Sequence, residues 1–216
     1  MQLSLLKRIL SYIYPVVIRK GSGTVNPVLE LLLFRDEWQL ATRDALYSDG
    51  TRYRPLLLAF EKIKKELPAV KKVLLLGSGL GSAVKILDKM GHHPEFTLLD
   101  IDTTILEWAK ELMPEHLNKN IKYICDDAEH FIKSTNLNYD LIIVDIFKGR
   151  VVPDFVNDTS FLLDCKDHLN IHGILSLNYM INKPAEWNMF KDKITEIFPK
   201  NKIYPVGINR IINATI

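Results

Sequence analysis

The rhythm of apolar and polar positions changes twice along the chain. In the first eighteen residues, Leu3, Leu6, Leu10 and Ile13 recur at steps of three or four, the spacing of one helix face. This predicts a short amphipathic helix, docked on its own domain or on a partner subunit. Residues 28–33 and 38–42 are strand-like, separated by the polar turn Arg35-Asp36-Glu37 and closed by Ser48-Asp49-Gly50. They predict a β-hairpin, so that residues 1–50 form a helix-and-hairpin appendage. From residue 52 helices and strands alternate. Helices are expected over 53–67, 82–90, 103–112, 128–133, 160–169 and 184–198. Strands are expected over 73–76, 96–99, 121–125, 141–144, 174–178, 202–206 and 208–216.

The early strands are short and uniformly apolar, as in Val73-Leu74-Leu75-Leu76, which points to a parallel sheet with helices on both faces. The last two strands are joined by a short turn at Gly207, and such a turn connects only antiparallel neighbours. The expected fold is an α/β, Rossmann-like sheet over residues 51–216, mostly parallel, with an antiparallel C-terminal strand. Dinucleotide-binding sheets are usually all parallel, whereas the reversed final strand is a feature of class I methyltransferase sheets.

Composition narrows this little. The 216 residues are 47% hydrophobic and 25% charged, ordinary for a globular chain that can bury a large core. A net charge of +2, with scattered Lys and Arg, gives no field for nucleic acid. Cys125 and Cys165 lack metal-site or disulfide-framework spacing, which fits a reduced, cytoplasmic protein, and both read as buried small apolar residues. A secretory leader carries its charge ahead of an unbroken apolar run, but Lys7 and Arg8 fall mid-segment. No later run is long enough for a membrane span. The six histidines form no ligand pattern, so no metal is expected.

Chemistry concentrates where strands end. Gly77-Ser78-Gly79-Leu80-Gly81-Ser82 follows a strand and opens a helix, a turn that lets a ligand approach backbone. Its spacing has Ser82 where a dinucleotide fingerprint has its third glycine, which favours a nucleoside without a pyrophosphate. Asp100 ends the next strand about 20 residues on, the position of a ribose-binding carboxylate. Asp127 lies just past the third strand and Asp145 ends the fourth, so acids gather at the carboxyl edge where open α/β sheets bind ligands.

These segments together resemble the spermidine synthase-like family of the class I S-adenosylmethionine-dependent methyltransferase fold. The resemblance is carried by Gly77 to Ser82, Leu99-Asp100-Ile101-Asp102, Asp127-Ala128 and Val144-Asp145. Trp38-Gln39-Leu40-Ala41-Thr42-Arg43-Asp44 is similar to that family's glutamine-leucine-x-x-arginine-aspartate segment. The resemblance implies a cofactor, S-adenosylmethionine or its decarboxylated form. It implies that Gln39 contacts it, that Gly77, Gly79 and Gly81 line its methionine portion, and that Asp100 holds the ribose hydroxyls. Ile101 would pack near the adenine, Asp127 with Ala128 would meet its amino group, and Asp145 would deprotonate an incoming amine or hydroxyl. Relatives commonly pair or form tetramers, so a homodimer or tetramer is expected.

The departures lie on the acceptor side. Lys148 stands where aminopropyltransferases carry a second aspartate, Tyr47-Ser48-Asp49-Gly50 replaces a tyrosine-histidine-glutamate, and Leu80 replaces an Asp. A Lys within ~4–6 Å of a diamine's charge costs about 3–4 kcal/mol at an effective dielectric near 20. Tyr47 and Lys148 are therefore the substrate-side candidates. The expectation is a methyltransferase acting on an unidentified small-molecule acceptor. The alternative is a polyamine aminopropyltransferase, ahead of an NAD-dependent oxidoreductase or a non-catalytic dimerisation module.

Overall fold

The computed structural model describes residues 3–216. A seven-residue helix, α1 (Leu5–Ser11), opens it, with Ser4 capping by accepting from the Lys7 amide at its hydroxyl oxygen. The strands β1 (Val16–Gly21), β2 (Leu29–Phe34), β3 (Glu37–Ala41) and β4 (Leu46–Asp49) form an antiparallel sheet in that order. The predicted hairpin is its centre, β2 and β3. Arg35 and Asp36 both have positive φ, 51° and 62°, so a two-residue turn joins strands whose twist requires it.

Residues 3–18 differ from the expected helix, of which Met1 and Gln2 lie outside the described residues. Helical structure ends at Ser11 because Pro15 has no amide to continue it and the β-branched Val16-Val17 pairs with β2 instead. The apolar face is not docked on its own domain: Leu6 is 65% and Ile13 75% exposed. What ties α1 down is polar, a bidentate Arg8 to Asp36 contact at 2.9–3.0 Å and the Arg35 amide donating to the Ser11 carbonyl.

The main sheet contains β5 (Lys72–Leu76), β6 (Glu95–Asp100), β7 (Ile121–Cys125), β8 (Tyr139–Val144), β9 (Leu169–Met180), β10 (Lys200–Val206) and β11 (Asn209–Thr215). Its order is β10-β11-β9-β8-β5-β6-β7. β7, β6, β5, β8 and β9 run parallel, and β11 is inserted antiparallel between β9 and β10. The reversed strand read from Gly207 is thus present. β9 is longer than predicted because β11 pairs with it as far as Met180 and because its first residue, Leu169, pairs with Tyr139 of β8.

Helices cover both faces. Val73 and Leu75 of β5 face α2 (Arg54–Lys62) and α3 (Ser82–Lys89), through Phe60, Val84 and Leu87. Leu74 and Leu76, pointing the other way, face α6 (Ala128–Ser134), α7 (Thr159–Asp167) and α8 (Pro184–Ile197), through Phe131, Phe161 and Phe190. α4 (Thr103–Leu112) is followed by the single turn α5 (Glu115–Asn118). Ile105 and Trp108 of α4 share a third core with Leu29, Leu31 and Leu40 of the small sheet. That packing sets the small sheet above the carboxyl edge of β5 and β6. α2 stops at Lys62, five residues short of expectation, and tight turns carry the chain to β5 through Leu67-Pro68-Ala69.

Among the described residues no helix is long and apolar enough to cross a membrane. Among the same residues no three His, Cys, Asp or Glu side chains gather as a metal site.

Candidate functional site

The carboxyl ends of β7, β6, β5, β8 and β9 form one side of a cleft, and β4 with the loop before β2 forms the other. The cavity between them is about 300 Å³, at the small end of ligand clefts. Gly77, Gly79, Asp100, Ile101, Asp127, Ala128, Asp145, Tyr47 and Lys148 all line it. Neighbouring strands lie ~4.8 Å apart, so Asp127 and Asp145, three strand intervals apart, flank a floor roughly 14 Å wide.

Backbone closeness explains the first glycine. Gly77 has φ +83°, and a Cβ there would overlap the Asp145 carbonyl oxygen. The Asp145 amide in turn donates to the Leu76 carbonyl at 2.9 Å. The glycine turn and the end of β8 are therefore one rigid unit.

The amides of that turn point at a carboxylate of the protein. Ser78 and Gly79 donate from backbone to Asp100 Oδ2 at 3.1 and 3.3 Å, and the Ser78 hydroxyl donates to it at 3.3 Å. The Asp102 amide donates to Oδ1 at 3.1 Å. Burial nevertheless dominates and raises the Asp100 pKa to about 6, against the lowering effect of these hydrogen bonds. Amides already committed to Asp100 are not a pyrophosphate cradle. The turn suits a ligand whose hydroxyls approach Asp100 instead, as a ribose diol does.

Asp145 is held from two sides. Asn178, on β9, donates from Nδ2 to Oδ1 at 2.8 Å, and the Tyr53 hydroxyl donates to the same oxygen at 3.2 Å. Asn178 is itself fixed by Asn209 of β11, which donates to its Oδ1 at 2.7 Å. Burial raises Asp145 to about 6, with both donors lowering it. Burial first, and then the charge of Asp145, pushes Tyr53 well above the usual phenol range, so Tyr53 remains a donor. The result is a carboxylate that takes or gives a proton near neutral pH while its orientation is fixed.

Asp127 caps α6, accepting from the Glu129 and His130 amides at 2.8 and 3.2 Å through Oδ1. Ala128 is buried beside it, and Ile101 is 44% exposed at the cavity mouth. Tyr47 accepts from the Gly149 amide at 2.6 Å and donates to Asn26 Oδ1 at 3.1 Å, stitching the loop after β8 to the small sheet. Burial raises the Tyr47 pKa, keeping the phenol neutral. Lys148 is exposed at the rim, in a tight turn where its amide and the Val151 amide each donate to the other's carbonyl.

Two predicted residues lie outside the lining. Gln39 is buried and donates from Nε2 to Asp49 Oδ1 at 2.7 Å, and Asp49 also receives Arg52 at 2.9 Å. Gly81 is the left-handed cap of α3, where a Cβ would press on Met113. Cys125 also departs from expectation. It is exposed, within 3.1 Å of the Thr103 hydroxyl, because β7 is the sheet's last strand; Cys165 is buried as expected.

Sequence reasoning does not promote Tyr53 or Asn178. Asn178 carries the same signal as Asp100 and Asp145, a polar residue near a strand's carboxyl end. Tyr53 carries none, since it precedes α2 and comes to Asp145 only through the packing of that helix.

Residues 56–206 match the spermine/spermidine synthase domain. The polyamine aminopropyltransferase of Buchnera aphidicola subsp. Acyrthosiphon pisum (strain Tuc7) is 30% identical over 111 residues, covering 49% of this chain and 39% of that protein. The polyamine aminopropyltransferase of Clostridioides difficile (strain 630) is 28% identical over 148 residues, covering 64% and 52%. The chain thus spans about two-fifths to half the length of these relatives. A probable spermidine synthase from Corynebacterium glutamicum ATCC 13032 superposes with a TM-score of 0.77 at 17% identity, over 92% of this chain and 80% of that one. Human methyltransferase-like protein 13 reaches only 0.61 at 20% identity, over 77% and 81%. The expectation of methyl transfer is overturned by these relatives, which are aminopropyltransferases. On the strength of the match over residues 56–206, the chain belongs to the spermine/spermidine synthase domain family.

Proposed function

We propose that this chain is an aminopropyltransferase that uses decarboxylated S-adenosylmethionine and an amine acceptor. The observation that carries the reading is the pairing of Asp100 and Asp145 across one cavity, each a desolvated carboxylate at the end of a strand that flanks β5. Asp100 would take the ribose hydroxyls, with Leu99, Ile101, Ile105 and Ala128 offering apolar surface to the purine. The cofactor supplies a carbon activated by a positively charged sulfur. Asp145, at the tip of the strand on the other side of β5, would lie beside that sulfur, attract its charge and remove the proton from an arriving ammonium. Tyr53 and Asn178 would hold Asp145 in line, so that much of the rate comes from positioning. The names of the relatives support the aminopropyl group over the methyl group.

Purified protein incubated with decarboxylated S-adenosylmethionine and a panel of primary amines, followed by mass spectrometry, tests this. The expected outcome is methylthioadenosine together with an amine heavier by one aminopropyl group. Consumption of S-adenosylmethionine with a methylated product, and no methylthioadenosine from the decarboxylated form, overturns it.

A further inference from the structure

The charges in the cavity define the acceptor more closely. Among the described residues its lining holds three carboxylates, Asp100, Asp127 and Asp145, and one ammonium, Lys148. With all of them ionised the net charge is minus two. The two tyrosines in the lining, Tyr47 and Tyr53, are both shifted upward and stay neutral. Decarboxylated S-adenosylmethionine brings two positive charges, on its sulfur and on its aminopropyl nitrogen, and so balances the site by itself.

The carboxylates are also distributed unevenly. Asp127 and Asp100 stand at the tips of β7 and β6, on one side of the glycine turn. On the other side, at β8 and β9, Asp145 is the sole carboxylate among the described lining residues. The lining from that side also includes Phe147, Pro153, Phe155 and Met180, together with exposed Lys148. An acceptor nitrogen at Asp145 would have its remaining carbons among these apolar side chains, in a lining whose cation is Lys148. A second ammonium there would be desolvated against Phe155 and Met180 with no carboxylate among the lining residues of that side, Asp44 lying outside the lining against Gly149, and would share the cavity with Lys148.

We propose that the acceptor is a primary amine with a single positive charge and an apolar tail, and that Lys148 is the residue that rejects a diamine. This rests on the aminopropyl-transfer reading. The acceptor enters as an ammonium and yields one proton to Asp145. Its nitrogen lone pair forms the new N–C bond at the carbon attached to sulfur. The C–S bond breaks with its electron pair going to sulfur, which becomes the neutral thioether of methylthioadenosine. The proton on Asp145 passes to solvent.

The test compares butylamine, putrescine and 4-aminobutyrate as acceptors at one concentration of decarboxylated S-adenosylmethionine, with methylthioadenosine as the readout. Calorimetric binding of each amine to protein saturated with methylthioadenosine gives a second readout, independent of turnover. Butylamine is expected to exceed putrescine at least tenfold in both. Lys148→Glu, at an exposed position where the fold should tolerate it, is expected to raise putrescine at least tenfold and narrow or reverse the ratio. Putrescine equal to or better than butylamine in the wild type overturns the proposal, as does an unchanged ratio in a folded Lys148→Glu. Preference for 4-aminobutyrate overturns the apolar tail. If no amine yields methylthioadenosine, aminopropyl transfer itself falls, a result distinct from putrescine turnover.

Discussion

Asn178 Nδ2 lies 2.8 Å from Asp145 Oδ1, joining the ends of β9 and β8 by a hydrogen bond. Tyr53 reaches the same oxygen from the start of α2, so one carboxylate oxygen is held by two donors. The arrangement fixes the carboxylate plane relative to the glycine turn and leaves Oδ2 for chemistry. Asp145→Asn preserves the shape and removes the base. Its expected effect is a loss of roughly 10²–10⁴-fold in turnover, the usual contribution of general base catalysis. Methylthioadenosine, which carries no positive charge to pair with Asp145, should still raise the melting temperature. Loss of that stabilisation in the variant would assign Asp145 to nucleoside binding instead.

The pH dependence follows from the same residue. Asp145 is raised from 3.8 to about 6, and the proposed reaction uses its ionised form as the base. Turnover should therefore rise with pH through about 6 and level off at higher pH. Asn178→Ala removes a donor that lowers this pKa, so the midpoint should move upward, whereas a merely structural loss would lower the plateau and leave the midpoint in place. An unchanged midpoint in a folded variant contradicts the assignment.

Stability should move the opposite way. Asp100 and Asp145 both have folded pKa values near 6 against 3.8 as the reference. Between these values the folded state binds more protons than the unfolded state, so stability falls as pH rises through that window and stays lower above it. Below 3.8 both states are protonated and the difference vanishes. Asp145→Asn cannot ionise, so it should gain about 1–3 kcal/mol over the wild type at about pH 8 and little at about pH 4. Chemical denaturation at the two pH values reads this directly, and an equal gain at both would exclude burial of the charge as its source.

Much of this site was legible in the sequence because its signals are local. Gly77, Asp100 and Asp145 each sit at a fixed place relative to a strand end, and the alternation of strands and helices brings strand ends to one edge. Residues that reach the site through packing were not legible. Tyr53 depends on the placement of α2 against β11, and Asn26 on a loop before β2. Gln39 is the converse case: its segment resembles a family pattern, and its amide donates to Asp49. The N-terminal helix was overextended because Leu10 and Ile13 keep helical spacing past the point where Pro15 and the pull of β2 convert the chain to strand.

Tyr47 is one link between the small sheet and the main sheet's loops at the cavity. Its hydroxyl accepts from the Gly149 amide and donates to Asn26, so Tyr47→Phe removes both bonds while keeping the ring. The loop after β8 should then open more often, seen as faster amide exchange at Gly149 and easier proteolysis near Arg150. Substrate KM is expected to rise about 3- to 30-fold, the equivalent of one or two hydrogen bonds, with global stability changed by less than about 2 kcal/mol. Unaltered exchange at Gly149 would mean the loop is held by packing alone.

Gly77 is the position where the fold and the site depend on the same atom. Its φ of +83° disfavours any side chain, and a Cβ would overlap the carbonyl oxygen of Asp145 and crowd Ile146. The Asp145 backbone cannot retreat without losing its bond to the Leu76 carbonyl, which continues the β5–β8 ladder. Gly77→Ala should therefore cost about 2–4 kcal/mol, from backbone strain together with overpacking. Gly91 makes the control: it has the same φ of +83°, but a Cβ there would meet nothing within 4 Å, so Gly91→Ala bears the strain alone. The difference between the two variants in denaturant unfolding measures the collision with Asp145. Equal losses would show that the glycine is required for its dihedral only, and that the turn and β8 are not rigidly coupled.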